Sequence, residues 1–341
     1  MKPTQVLLLF GGESSEHDVS IMSARNVYEA IDASRFDVAL GYIDENGHWY
    51  HVRDFDGYRT VDVTQQLLPS LGEAGFVVGD EIIDSDVILP VLHGKNGEDG
   101  SVQGLAQLLH IPVVGCDMTS SVAGMDKVIA KRIATSVGVQ VVPYRVYRRG
   151  EVPPNYDTLC TDLGDTLFVK PSRAGSSVGV NKVRSSKELE RALAVALESD
   201  DTVLIEQALD VRELEVAAIG NPPACEISVV GEILPGEDFY SYDDKYSSGS
   251  SSSVQLPADI PADISDQIRD AAKTIYTELG CRGLSRIDFF LTGTGDIYFN
   301  EINTLPGFTN ISMYPKLWQQ AGISYGDLIT RLIEAALEPK E

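Results

Sequence analysis

The chain opens on a strand that cannot be half solvated. Val6 to Phe10 are continuously apolar, Gly11 and Gly12 turn the chain, and Val19, Met22, Val27 and Ile31 then fall broadly on one helical face. A strand without apolar–polar alternation is buried on both faces, and sheets covered on both faces are the parallel ones crossed by helices. A second strand, Asp37 to Ile43, ends at Asp44, and a third buried run reaches from Ile82 to Leu92. Together with a helix from Val102 to Leu109 these describe an amino-terminal α/β unit with a parallel sheet. The stretch from His51 to Asp80 mixes short strands with polar turns and is read as a peripheral insertion.

The 341 residues allow two or three domains with substantial cores. Fifty-one acidic residues stand against 27 Lys plus Arg, a net charge of -24. That field opposes unspecific attachment to nucleic acid or anionic membrane, so any phosphate site has to be built locally from lysines, arginines and backbone amides. The apolar run at the amino terminus is far too short to span a bilayer, and no secretory cleavage pattern follows it. Cys116, Cys160, Cys225 and Cys281 lack paired spacing, which fits free thiols in a reducing cytoplasm.

The first unit is read as residues 1–124, an amino-terminal α/β domain. A central unit, 125–210, carries a helix through Lys127, Ala130 and Ile133 and extended runs at 141–147 and 166–171. Within it Ser185 and Glu188 make a capping-box signal ahead of Leu189, Leu193, Ala196 and Leu197, and Val203 to Leu209 form a strand and its exit. The remainder, 211–341, opens on strands, crosses a polar stretch, and enters a helix from Pro261 to Leu279 and a hairpin. The polar stretch, Asp238 to Gln255, holds seven serines and no apolar periodicity. It suits a surface loop, yet Tyr240, Tyr242, Lys245 and Tyr246 are unusual residues for an idle linker.

Three segments carry chemistry. His93–Gly100, HGKNGEDG, places a histidine, a lysine, two carboxylates and three glycines at a strand end, which suits either a ligand or a tight surface turn. If the strands of the hairpin SRIDFFLT–GTG–DIYFNEINT pair symmetrically about its turn, Asp288 lies opposite Glu301 and Arg286 opposite Asn303, all on one face. Opposed carboxylates repel unless a cation lies between them, and two carboxylates with an amide oxygen are hard ligands that select Mg²⁺ or Mn²⁺. The same acids can also form a solvated face with an Arg–Asp pair. Lys170 to Val180, KPSRAGSSVGV, leaves a buried strand through a glycine and serine loop suited to phosphate, without the order of a P-loop.

The ordered set FGGESSEHDVS, HGKNGEDG, GMDK, VKPSRAGSSVGV, YSYDDKY, SRIDFF and NEINTLPG resembles the D-alanine–D-alanine ligases of the ATP-grasp superfamily over nearly the whole chain. The resemblance implies α/β and α+β domains in an ATP-grasp fold, with ATP clasped between two antiparallel sheets. It implies that Lys127 and Lys170 contact ATP phosphates, that Glu206, Ala208 and Leu209 border adenine, and that Glu213 holds ribose. Asp288, Glu301 and Asn303 would carry two Mg²⁺ or Mn²⁺ ions. Glu16 would receive the ammonium of the first D-alanine, linked through Ser176 and Tyr246. Lys245 and Ser312 would hold the carboxylate of the second D-alanine, Arg286 and the Gly307 N–H would face the developing oxyanion, and His93 and Glu98 would support the amino-acid site.

The activity so implied is ligation of two D-alanines through a D-alanyl phosphate, under a lid at 239–253, for peptidoglycan precursor synthesis. Relatives that use D-lactate or D-serine generally depart from the Lys245–Tyr246 pair, so its presence favours D-alanine. The family also implies a homodimer and potassium stimulation. Each residue has a plainer reading: Glu16 as a helix-start acid, Ser176 as a turn former, Tyr246 as a packing group, Arg286 as a partner of Asp288 alone. Two other functions stay open at this point, another ATP-grasp carboxylate–amine ligase and a non-catalytic nucleotide sensor.

Overall fold

The computed structural model of the protein describes residues 2–72, 75–175, 178–234, 253–309 and 311–339. Ser176, Lys245 and Tyr246, and all of the expected lid except Ser253, lie outside those residues.

In the first sheet β1 (Thr4–Gly11) is flanked by β2 (Phe36–Ile43), with β3 (Trp49–Val52) antiparallel on the outer edge of β2. Next come β4 (Leu68–Ser70), β5 (Gly75–Val78) and β6 (Glu81–Ile83), a small antiparallel sheet of their own. The chain then returns as β7 (Val87–Leu92), parallel to β1 on its other side. Val6 to Phe10 are no more than 1% exposed, as a strand covered on both faces requires. The expected single run from Ile82 to Leu92 is two strands. Asp86 breaks it, because its carboxylate accepts the Gln5 N–H at 2.8 Å and pins the start of β7 to the edge of β1.

Helix α1 (His17–Ala30) crosses from β1 to β2, but Met22 does not face the core. It is 50% exposed, and Ser20, Ile21, Ser23, Ala24 and Val27 form the buried face. Serines serve there because the helix lies close to strand ends: Ser20 Oγ accepts from Gly11 N–H and donates to the Val91 carbonyl. The segment read as peripheral also does more than expected, since Val52, Phe55, Leu67 and Phe76 all enter the core of this sheet.

After β7 come α2 (Ser101–Leu108), α3 (Met118–Met125) and α4 (Lys127–Ser136). The second sheet is antiparallel in the order β10 (Asn181–Val183), β9 (Leu167–Pro171), β11 (Thr202–Gln207), β8 (Tyr144–Arg148). It is backed by α5 (Tyr156–Leu163) and α6 (Ser186–Ser199). At the start of α6 Ser185 Oγ accepts the Glu188 N–H, while the Glu188 carboxylate reaches back to the Arg184 N–H at 2.6 Å.

The third sheet is built on β12 (Val211–Ile219), with β13 (Glu226–Ile227), β14 (Gly231–Leu234) and β15 (Ser253–Gln255) on one side. The hairpin of β16 (Leu284–Thr292) and β17 (Ile297–Asn303) lies on the other. Helix α7 (Ala262–Glu278) covers this sheet through Ile268, Ala272, Ile275 and Tyr276. The last helices, α8 (Met313–Gln320) and α9 (Tyr325–Leu337), turn back, and α9 packs on α1 and β7. Phe308, Tyr314, Leu328 and Leu332 thereby share one apolar core with the first sheet. The two ends of the chain are joined by that core, which brings the loop after β7 up to the end of β17.

Candidate functional site

Between the second and third sheets lies a cleft of about 740 Å³, lined from both sides by charged strand residues. Lys170, leaving the buried strand β9, enters it with its Nζ 2.6 Å from Glu206 Oε2 and 3.4 Å from Asn300 Oδ1. Lys127, the first residue of α4, donates to the Ala174 carbonyl at 2.8 Å and pairs with Glu301 Oε2 at 3.1 Å. Ala208, Leu209 and Glu213 line the same cleft where β11 passes into β12. The structure therefore gathers all six residues expected at a nucleotide. Glu206 stands apart in one respect, because its carboxylate is buried between two lysines, Lys170 and Lys131, the latter at 2.8 Å. Burial alone would raise this carboxyl; the Lys131 and Lys170 charges hold it below its ordinary value.

The hairpin closes the far end of the cleft. Asp288 faces Glu301 and Arg286 faces Asn303 across the ladder, as expected, but not by simple symmetry about the turn. Next to the turn the pairs are Leu291 with Ile297 and Phe289 with Phe299; a bulge between Asp288 and Phe289 then advances β17 by one residue. The bulge is what puts both acids on one side. Arg286 grips Asp288 with two bonds, 2.8 and 2.7 Å, and its Nε lies 3.0 Å from Glu215 Oε2. Burial works against the guanidinium charge, yet Asp288 and Glu215 together raise its pKa well above the ordinary value. Asn303 Nδ2 donates to Asp288 Oδ2 at 3.2 Å.

The loop after β7 reaches the same place. His93 is 3% exposed; its Nε2 lies 3.2 Å from Ser23 Oγ, and its Nδ1 lies 3.9 Å from Glu98 Oε1. Burial pushes its pKa down, partly opposed by Glu16 and by a bond to the Leu305 backbone. Glu98 goes the other way: burial, then the Glu16 carboxylate, push it up to about 8. Glu16 is itself buried at the head of α1, with its N–H on Ser14 Oγ at 3.1 Å. The loop can come this close because Gly94 has φ +71° and no side chain; a Cβ there would sit 3.1 Å from Ser14 Cβ and 3.2 Å from Glu16 Oε2. A narrow cavity joins Glu98 to Lys127, Glu301 and Asn303, so loop and hairpin share one site. Gly307 and Ser312 meet in the turn beyond β17, where a Cβ on Gly307 would lie 3.0 Å from Ser312 Oγ.

Three participants escaped the sequence reading. Glu215 lies across the ladder from Asp288 and is the second carboxylate on Arg286. Asn300 is the residue that the bulge frees, and it meets Lys170. Lys131 sits one helical turn after Lys127, which was the available signal.

Among the described residues no three His, Cys, Asp or Glu side chains gather as a closed metal site. Two opposed carboxylates and an amide are nonetheless the donor set that Mg²⁺ takes when substrate phosphates and water complete its shell. The residues fit a divalent ion that arrives with a nucleotide.

The sequence matches the family model described as D-ala D-ala ligase N-terminus over residues 5–116, and that described as D-ala D-ala ligase C-terminus over residues 133–334. It is 44% identical to D-alanine–D-alanine ligase A of Escherichia coli (strain K12) over 354 residues, covering 99% of this chain and 97% of the relative. It is 42% identical to the D-alanine–D-alanine ligase of Shouchella clausii over 358 residues, covering 100% and 96%. Among solved structures it superposes on the VanG D-Ala:D-Ser ligase from Enterococcus faecalis with a TM-score of 0.90 at 37% identity, covering 98% of this chain and 100% of that one. The D-alanine–D-alanine ligase from Coxiella burnetii gives 0.88 at 30% identity, covering 99% and 94%. Both halves of the sequence and the fold as a whole lead to one assignment: the chain belongs to the D-alanine–D-alanine ligase family and has its ATP-grasp fold.

Proposed function

We propose that this protein joins two D-alanine molecules into D-alanyl-D-alanine at the expense of ATP, releasing ADP and phosphate, as a step in making peptidoglycan precursors. The observation that carries the reading is the meeting of two lysines, a carboxylate pair and a buried arginine in the intersheet cleft, which a narrow cavity joins to Glu98.

A carboxylate resists attack by an amine because oxide is a poor leaving group. Transfer of the γ-phosphoryl group to a carboxylate oxygen of the first D-alanine makes an acyl phosphate and ADP. The amine of the second D-alanine then adds to the carbonyl carbon, and phosphate leaves as the amide forms. Lys127 and Lys170 neutralise the phosphates, Ala208 and Leu209 with Glu206 border adenine, and Glu213 holds ribose. Glu16 holds the first ammonium, with Ser176 and Tyr246 in a hydrogen-bonded chain with it, while Lys245 and Ser312 hold the second carboxylate. Arg286 and the Gly307 N–H face the oxygen that becomes negative; one such donor contributes about 3 kcal/mol to lowering the barrier. Asp288, Glu301 and Asn303 would hold two Mg²⁺ or Mn²⁺ ions, which when bound supply charge neutralisation at the transferring phosphoryl group.

In this reading 1–124 binds substrate, 125–210 and 211–341 clasp ATP, and 239–253 closes over the acyl phosphate to exclude water. The protein works as a homodimer in the cytoplasm and is stimulated by K⁺; among the described residues no helix is long and apolar enough to cross a membrane.

The test is phosphate release with Mg²⁺, ATP and D-alanine, with product mass measured, against L-alanine, D-alanine plus D-lactate, and D-alanine plus D-serine. The last arm is included because one structural relative is a D-Ala:D-Ser ligase. D-alanine-dependent release with D-alanyl-D-alanine as main product is the expected result. ATP binding without such release would leave a nucleotide sensor, and a dominant mixed product would move the second substrate.

A further inference from the structure

Lys131 is fully buried, which for a lysine demands a partner. Its Nζ lies 2.8 Å from Glu206 Oε1 and donates to the Phe299 carbonyl at 3.4 Å. The other oxygen of that carboxylate, Oε2, is 2.6 Å from Lys170. One carboxylate is thus shared by two ammonium groups, one with no exposed surface and one at the cleft wall. The trio carries a net positive charge, and only Lys170 can present it to a ligand.

The stoichiometry matters because Glu206 with a single cationic partner would spend its whole attraction on that partner. A 2.6 Å one-to-one pair in a buried setting is hard to break, and Lys170 would have to break it to meet a phosphate. A second ammonium on the buried side satisfies the carboxylate from behind.

We infer that Lys131 is a positioning residue, which neutralises Glu206 from the core side and so leaves Lys170 available to the phosphates of the nucleotide. The inference rests on the proposed role of Lys170 at ATP. It predicts that Lys131 acts on ATP alone and only through the Glu206 charge.

The test is a double-mutant cycle of Lys131→Met, Glu206→Gln and the pair of them, read by KM for ATP and D-alanine and by calorimetric titration with ATP. Lys131→Met is expected to raise the KM and Kd for ATP about tenfold, with the D-alanine KM within about twofold of wild type. In the Glu206→Gln background the same change is expected to alter the ATP constants by less than about twofold, because no charge remains to be neutralised. If Lys131→Met does not fold, Lys131→Gln replaces it, keeping a donor for the Phe299 carbonyl without the charge. Unchanged ATP constants, an equal rise in both backgrounds, or a fall in kcat with both KM values intact would each overturn the inference. Wild-type protein that binds ATP but releases no phosphate with D-alanine would sink the ligase reading, while the calorimetric cycle still decides the role of Lys131.

Discussion

Replacing Glu98 by glutamine isolates the electrostatics of the loop after β7. In the folded protein burial and the Glu16 carboxylate push Glu98 from an ordinary 4.5 up to about 8. In the unfolded chain it ionises near the ordinary value, so between those two pH values the folded state keeps a proton that the unfolded state gives up. The stabilisation is fully present below 4.5, is lost as pH rises, and is gone once pH passes about 8. At about 1.4 kcal/mol per unit of separation, the whole window amounts to about 5 kcal/mol. The side chain keeps 15% of its surface open, and water follows the charge as it forms. The realised loss is therefore about 2 kcal/mol. Glutamine has the shape of the protonated acid at every pH. Urea unfolding without nucleotide, amino acid or metal, followed at about pH 5 and about pH 8, should show the balance moving toward Glu98→Gln by about 2 kcal/mol. A stability difference constant to within about 0.5 kcal/mol across that range would refute the raised pKa.

Arg286→Met leaves Asp288 and Glu215 without their shared cation; a stability loss of about 3 kcal/mol and a fall in kcat of about 10²- to 10³-fold are expected from melting curves and steady-state kinetics. Activity within about tenfold of wild type would remove Arg286 from the oxyanion site. Gly94→Ala forces a side chain into a left-handed position against Ser14 and Glu16. It should cost about 1–2 kcal/mol and raise the KM for D-alanine more than that for ATP, which initial-rate measurements would separate. Chelation of divalent cations should stop phosphate release, and Mg²⁺ or Mn²⁺ should restore it; turnover that persists in excess chelator contradicts the assignment of Asp288, Glu301 and Asn303.

Much of the architecture was legible because it rests on local pattern. The continuous apolar run of β1 and its glycine pair already required a covered parallel sheet, and the spacing of Ser185 and Glu188 already marked the start of α6. Errors arose where one residue answered to a distant partner. Asp86 splits an apolar run because it bonds to Gln5, and Met22 gives up the core face because Ser20 is needed at the ends of β1 and β7. The hairpin acids face each other as expected, but through a bulge at Asn300 rather than symmetry about the turn, and no turn residue announces it. Lys131 could be placed one helical turn after Lys127, but its burial was hidden for a similar reason. On a sequence a helical lysine reads as a solvated face, and only the packing of α4 under β11 and β17 turns it into a buried charge.

The cleft is not a positive groove awaiting an anion. Lys127 is held by Glu301, Lys170 by Glu206, and Arg286 by Asp288 and Glu215, so among the described residues these three cations are already paired. In a chain with a net charge of -24, unpaired acids at this point would expel a nucleotide, and unpaired buried lysines would lose their protons. Pairing solves both problems but sets a condition for binding. In the proposed function a polyphosphate that draws Lys127 toward itself uncovers Glu301, which faces Asp288 across the hairpin. Under the same proposal those carboxylates would need positive charge at that moment, and divalent cations travelling with the nucleotide would carry it. The hairpin bulge and the Lys131–Glu206 contact lie side by side, since Lys131 donates to the Phe299 carbonyl and Lys170, on the same Glu206, meets Asn300. In the proposed function the bulge aligns the acids that would hold metal, and the buried lysine neutralises Glu206 beside them.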